Sequence, residues 1–391
     1  MSQNNLELDL PQIVAGKLDG FLSGAGAQLH VPTFKGNEKK YLSNCIDSTF
    51  VSSVGEYVTK FEESICGITG SRNAIATVNG TSALHLGLLG IGIKRNDEVL
   101  VPNLTFSATA NAVVYCGAVP HFVDANEEDL GINFSKLRTY LEINSKKDGK
   151  LLKNKITGRV IRAIIPMHTF GHPTDMAAAQ SLADEFGLEV IEDSAESLGS
   201  TFRGRHTGTF GKVGVLSFNG NKIVTTGGGG CIVTDDDELA SNLRHLGSTA
   251  RVRHEWKIFH DMVGYNYRMP NLNAAIGLAQ LENLEAKLSS KRRLFAAYKK
   301  LFEDVGDVEI FTEPKGAQSN YWLQTLILKS PNRKIVENII ESCQMKGIQA
   351  RPVWEPLNSL PQFSHSPSMD TPTSRMLSER IVNIPSSPGL A

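Results

Sequence analysis

VIRAIIPMHTFGHPTDMAAAQSLADEFGLEVIED (residues 160–193) is the stretch that decides the fold class. Val160 to Met167 is an apolar run of strand length, Thr174 to Phe186 carries helical spacing, and Leu188 to Glu192 is apolar again and ends in Asp193. A strand, a helix and a strand in that order form a crossover unit, which makes the two strands parallel. The same alternation lies upstream. Arg72 to Val78, Glu98 to Val101 and His121 to Asp124 read as strands, with helices starting at Thr81 and Thr105 between them. Downstream, Lys212 to Phe218 and Gly230 to Thr234 read as strands around a Gly-rich turn, and Asp236 caps a helix through about Leu246. The expectation is an α/β fold with a mostly parallel, covered central sheet.

Beyond Pro270 the text changes. Leu272 to about Phe302 is rich in Ala, Leu, Glu and Lys at helical spacing and predicts one long helix. Strand Trp322 to Leu328, helix Asn332 to Lys346 and strand Ile348 to Val353 follow, and the Pro- and Ser-rich end reads as irregular. The 391 residues suit two domains. The division expected is a large domain with an N-terminal arm over residues 1–270 and a smaller C-terminal α/β domain over 271–391.

Lys and Arg number 40 against 41 Asp and Glu, so no net field favours nucleic acid or an anionic membrane. The five cysteines, Cys45, Cys66, Cys116, Cys231 and Cys343, show neither C-x-x-C spacing nor clustering with histidine. That pattern argues against a disulfide framework and a metal site, and fits a reducing cytoplasm. No apolar run approaches the ~20 residues of a membrane span, and the first residues lack the parts of a signal peptide.

Parallel α/β sheets bind ligands beyond the carboxyl ends of their strands. Four segments hold polar residues there. In Asn79-Gly80-Thr81-Ser82 a strand turns into a helix whose first N–H groups suit a phosphate, or the segment simply makes a turn with Thr81 as cap. Ile191 to Glu196 delivers a carboxylate, Asp193, which would meet a cation such as a protonated pyridine nitrogen, or would cap a helix or bind a metal. Ser217 to Lys222 is followed by Thr225, Thr226 and four glycines, Gly227 to Gly230. A lysine in such a place is either solvated or a Schiff-base former. Gly264 to Met269 is polar and aromatic, and could equally be a packed linker.

In this order, and with Phe61-Glu62, Ala83-Leu84, Asp97-Glu98-Val99, Thr105-Phe106, Gly117-Ala118-Val119-Pro120 and Asn266-Tyr267-Arg268-Met269, these segments resemble the DegT/DnrJ/EryC1 family of sugar aminotransferases, from about Val31 to the C-terminus. The resemblance implies the fold type I architecture of enzymes that use pyridoxal phosphate. It implies that Lys222 is the Schiff-base lysine, that Asp193 pairs with the pyridine nitrogen and that Phe106 stacks on the ring. Thr81 and Ser82 would contact the phosphate through their backbone and Ser217 through its hydroxyl. Asn266 would reach across from a partner subunit, which implies a homodimer with shared active sites. Glu196 falls where many relatives carry Gln or His near the cofactor's phenolic oxygen, and Gly228 where many carry Glu.

Within the family, Phe34 to Glu38, Phe50 to Gly55 and Thr225 to Gly230 resemble the legionaminic-acid-type branch. That implies glutamate as amino donor and, as acceptor, the C4 ketone of UDP-linked 2-acetamido-2,6-dideoxy-hexos-4-ulose. A sugar dehydratase on the same fold would carry histidine in place of Lys222, a regulatory protein would not need a base at the cofactor, and a dehydrogenase would need a G-x-G-x-x-G that is absent. Arg251 to Lys257 could meet a diphosphate or face water, His168 could line the site or pack, and Arg351 to Trp354 resembles a family segment near the active-site mouth.

Overall fold

The computed structural model describes residues 3–390. Seven strands form the path of the main sheet: β1 (Asn73–Thr77), β2 (Glu98–Pro102), β3 (Val119–Val123), β4 (Val160–Ile164), β5 (Glu189–Asp193), β6 (Val213–Ser217) and β7 (Gly230–Thr234). Their spatial order is β1-β7-β6-β5-β4-β2-β3. From β6 through β3 every pairing is parallel, whereas β7 runs antiparallel to both β6 and β1. A hairpin, Ser145–Asp148 with Leu151–Asn154, adds antiparallel pairing along β4. The strands are almost wholly buried, as a sheet covered on both faces requires.

The helices that return the chain between strands include α1 (Gly80–Gly90), α2 (Ser107–Tyr115) and α3 (Met176–Phe186). Asp175 caps α3 by accepting from the N–H groups of Ala177 and Ala178, and Gly187, with φ 69°, ends it in the left-handed conformation that glycine adopts without strain. The crossover read from residues 160–193 is therefore present, with its helix starting two residues later than Thr174.

The single helix expected from Leu272 to Phe302 is two helices, Asn271–Leu281 and Leu284–Leu301. The first buries Ala274 and Ala275 with Phe61 and Phe218 of the main body, while the second buries Leu294 and Tyr298 in a different cluster. The chain bends at Glu282–Asn283 without a Pro or Gly to announce it, and the second helix runs on from the first cluster, which Leu284 joins, to the other.

A second, four-stranded antiparallel sheet holds Val308–Ile310, Gln324–Leu328, Ile381–Ile384 and Arg351–Pro352 in that order. The strand expected over Ile348 to Val353 shrinks to Arg351–Pro352. The tail read as irregular instead holds a helix, Pro372–Ser378, and the interior strand Ile381–Ile384. Leu10, Val14 and Leu18 of the first helix, Gln3–Phe21, join Leu294, Tyr298, Val336 and Ile339 in one cluster, so the N-terminal helix lies with the C-terminal sheet. Among the described residues no helix is long and apolar enough to cross a membrane.

Candidate active site

At the carboxyl edge of β1, β5 and β6 a cavity of about 460 Å³ opens towards the C-terminal sheet. Thr81, Phe106, Asp193, Glu196, Ser217 and Lys222 all line it. The reversed β7 starts at this edge, at Gly230 opposite Ser217, so the loop 218–229 that carries Lys222 is a hairpin loop tied at its base. Phe218 N–H donates to the Gly229 carbonyl at 2.8 Å and Thr226 N–H to the Phe218 carbonyl at 3.0 Å.

Asp193 is buried at the end of β5. Its Oδ2 accepts from the Thr109 hydroxyl at 2.7 Å and its Oδ1 from the Ala195 N–H at 3.2 Å. Burial pushes the carboxyl pKa up, and these two bonds together with Lys222 pull against that. A cation placed against Asp193 would restore the lost solvation of its carboxylate.

The neighbouring Glu192 faces the other way and accepts four hydrogen bonds. Gly208 N–H and His168 Nε2 donate to Oε2 at 2.8 and 3.1 Å, while Phe210 N–H and Gly211 N–H donate to Oε1. His168 accepts from Thr174 N–H on Nδ1, which leaves Nε2 as the protonated nitrogen. His168 is therefore a packed residue that locks the end of β5, and it does not line the cavity.

Lys222 Nζ lies 3.4 Å from Glu196 Oε1 and 3.8 Å from the centre of the Trp322 ring. The other carboxylate oxygen of Glu196 accepts from Phe170 N–H at 2.8 Å. Phe170 adopts φ 56°, a left-handed conformation that costs a non-glycine residue about 1–2 kcal/mol, and this conformation aims its N–H at Glu196. Burial pushes the Glu196 carboxyl up to about 7, against the opposing pull of Lys222. Trp322 is held by its indole N–H, which donates to the Asn221 carbonyl at 2.8 Å.

Asn79 caps α1 by accepting from Ser82 N–H at 2.7 Å, and the Ala83 N–H donates to the Asn79 carbonyl. The N–H groups of Gly80 and Thr81 are left as the donors at the positive end of the helix. Ser82 is thus engaged in the cap and is not among the cavity-lining residues. A Cβ at Gly80 would sit 3.0 Å from the Ser217 Cβ, and one at Gly230 would sit 2.5 Å from the Asn79 carbonyl. Glycine at both positions lets the helix end close against β6 and β7, forming a cradle beside the Ser217 hydroxyl.

Phe106 stands at the mouth with 54% of its surface exposed, one helical turn before Thr109. Arg351 and Trp354 also line the cavity, with the Trp354 ring 5.0 Å from that of Phe170. Asn266 lies outside it, exposed, in a bridge with Ser248. Residues 251–257 lie outside it too, mostly exposed, and Val252 N–H donates to the Phe259 carbonyl. Sequence reasoning missed Thr109, Phe170 and Trp322. Thr109 was accessible through its spacing of three from Phe106, whereas nothing local marks Phe170 or Trp322.

These groups fit pyridoxal phosphate. An enclosed carboxylate suits a pyridinium, a cavity-facing amine suits an aldehyde, and a helix end pressed against a serine hydroxyl suits a phosphate. Among the described residues no cluster of His, Cys, Asp and Glu could hold a metal ion.

Residues 32–391 match the model of the DegT/DnrJ/EryC1/StrS aminotransferase family. The chain is 38% identical over 363 residues to GDP-perosamine synthase of Escherichia coli O157:H7, covering 93% of this chain and 94% of that one. It is 31% identical to UDP-N-acetyl-3-dehydro-alpha-D-glucosamine 3-aminotransferase of Acidithiobacillus ferrooxidans, covering 88% and 86%. A DegT DnrJ EryC1 StrS aminotransferase from Brucella abortus superposes with a TM-score of 0.82 at 28% identity, over 91% of each chain. The chain belongs to the DegT/DnrJ/EryC1/StrS family of pyridoxal phosphate-dependent sugar aminotransferases.

Proposed function

We propose that the protein moves the amino group of glutamate to the C4 ketone of a nucleotide-linked 4-keto-6-deoxy sugar. The acceptor is UDP-2-acetamido-2,6-dideoxy-hexos-4-ulose, and the product serves surface polysaccharide or nonulosonic acid biosynthesis. The observation that carries the reading is the Lys222 amine in the same cavity as buried Asp193, beside the free end of α1.

Bound pyridoxal phosphate supplies an electron sink that acidifies the hydrogen on the donor's α-carbon. Asp193 keeps the ring nitrogen protonated, and Thr109 and Ala195 fix the direction of its carboxylate. Lys222 would be the base that removes the proton from the donor α-carbon in one half-reaction and returns a proton in the other. The Gly80 and Thr81 N–H groups and the Ser217 hydroxyl hold the phosphate, with Ser82 serving to order the helix end. Phe106 would stand against one face of the ring, and Trp322, packed against the Lys222 amine, would keep water from it.

The site is completed by a second copy of the chain. Exposed Phe34, Phe50, Val54, Trp256, Phe259 and Val263 favour burial against a partner, and Asn266, which does not reach its own cavity, contacts the partner's cofactor.

The segments Phe34 to Glu38 and Phe50 to Gly55 support the UDP-linked acceptor. The 38% identity to a GDP-perosamine synthase favours a second reading, a GDP-linked acceptor. Visible spectra decide between them. Protein loaded with pyridoxal phosphate is bleached with glutamate and then offered each keto-sugar. Return of the band with the UDP-linked sugar supports the proposal. Return only with the GDP-linked sugar selects the second reading, and a wild-type protein that never forms a band refutes the role of Lys222.

A further inference from the structure

Glu196 is an acid in direct contact with the amine that does the chemistry. Its carboxylate is enclosed, with 3% of its side-chain surface exposed, and each oxygen has one partner: Oε2 takes the Phe170 N–H and Oε1 faces Lys222 Nζ at 3.4 Å. The charged groups facing it are Lys222 from the hairpin loop and Asp193 from the end of β5, and His30 of the N-terminal segment lies within the field of Lys222. An amide in this place would offer a dipole, whereas a carboxylate offers a full charge whose partner is the lysine nitrogen.

We propose that Glu196 is the counter-ion of the Lys222 nitrogen and sets the pH range in which that nitrogen keeps its proton, in the free amine and in the cofactor-bound state alike. It is a positioning residue that acts through Lys222, and the inference rests on the reading of Lys222 as the cofactor lysine. An opposite charge at this distance, in an enclosed site, favours the protonated form of the nitrogen. Burial lifts the Glu196 carboxyl to about 7, so the support fades as pH falls through neutrality. Protonation of the Glu196 carboxyl removes the charge that faces the amine, so the two groups are coupled through the 3.4 Å contact. No bond other than N–H and O–H is made or broken, since a proton taken up by Oε1 comes from solvent.

The test is Glu196→Gln, which keeps the shape and the acceptor for Phe170. In cofactor-loaded protein the visible band is titrated against pH, and its midpoint is expected to fall by about one unit or more relative to wild type. Glu196→Asp keeps the charge but withdraws it by one methylene, and its midpoint is expected between the two. The cofactor-free protein gives a second readout: labelling of Lys222 by trinitrobenzenesulfonate against pH, followed by peptide mass spectrometry, is expected to show the same downward shift. A midpoint within about 0.3 unit of wild type, or an upward shift, in either readout overturns the proposal. If wild type forms no visible band, the cofactor role of Lys222 fails, and the labelling midpoint still decides whether Glu196 is its counter-ion.

Discussion

Replacing Glu192 by glutamine tests whether the end of β5 is held by charge. Four donors converge on its two oxygens, two on each, so an amide NH2 put on either side meets two N–H groups with no acceptor. Hydrogen bonds to a charged group contribute about 1.5–3 kcal/mol each, and the two that remain would weaken on becoming neutral. Some relaxation of the 205–211 loop will recover part of that, so the expected loss is about 3–5 kcal/mol. Against a total stability of about 5–15 kcal/mol this is a large effect. Amide hydrogen exchange gives the local readout, with Gly208, Phe210 and Gly211 losing protection ahead of the strands, while urea unfolding gives the global one. Because Asp193 is the next residue, affinity for the cofactor should fall as well. Unchanged protection at those three amides, with a stability loss under about 1 kcal/mol, would refute the reasoning.

Lys222→Ala is expected to abolish turnover in both half-reactions even where cofactor still binds, and substantial transamination by that variant would overturn the mechanism. Gly230→Ala puts a methyl 2.5 Å from the Asn79 carbonyl. It should cost about 1–3 kcal/mol and weaken cofactor binding more than it changes kcat at saturating cofactor, as equilibrium dialysis and kinetics would show. His172 is fully buried between Phe311 and Tyr321 with neither ring nitrogen partnered among the described residues, and burial lowers its pKa from 6.5 to about 3. The unfolded chain therefore binds the extra proton first, so stability is lost as pH falls below 6.5, by about 1.4 kcal/mol per unit. His172→Phe should flatten that acid limb, and urea titrations at pH 5 and pH 7 that show an unchanged slope would count against it.

The main sheet was legible because its strands are short apolar runs separated by capped helices, and residues 160–193 contain a whole unit of that pattern. The turning points were also legible, since ligands gather where such strands end. Asp193 and Lys222 were marked there by type and position with cap and solvated readings still open, and only the resemblance to the family gave them and Ser217 their roles; the structure brings all three to one cavity. What stayed hidden depends on contacts between distant segments. The bend at Glu282–Asn283 falls between two stretches of good helical spacing with no Pro or Gly, so local spacing does not mark it. The helix Pro372–Ser378 begins with proline, a residue that starts helices as readily as it breaks them, and the composition of the tail obscured it. Trp322 reaches Lys222 only because the C-terminal sheet folds over the main one. Phe170 matters through its backbone N–H, which side-chain chemistry cannot advertise.

The reversed strand β7 has a kinetic consequence. Because the loop bearing Lys222 is closed at its base by the pairing of Ser217 with Gly230, the lysine, in its proposed role, would not wander when the cofactor leaves it. A free amine confined within the length of one side chain is present at an effective concentration on the order of moles per litre or higher. Bulk lysine or ammonia at millimolar levels cannot compete with it. On the proposed mechanism, recapture of the cofactor would depend on the anchoring of two adjacent strands, and a cut or insertion in residues 218–229 should slow turnover even with every side chain of the site intact.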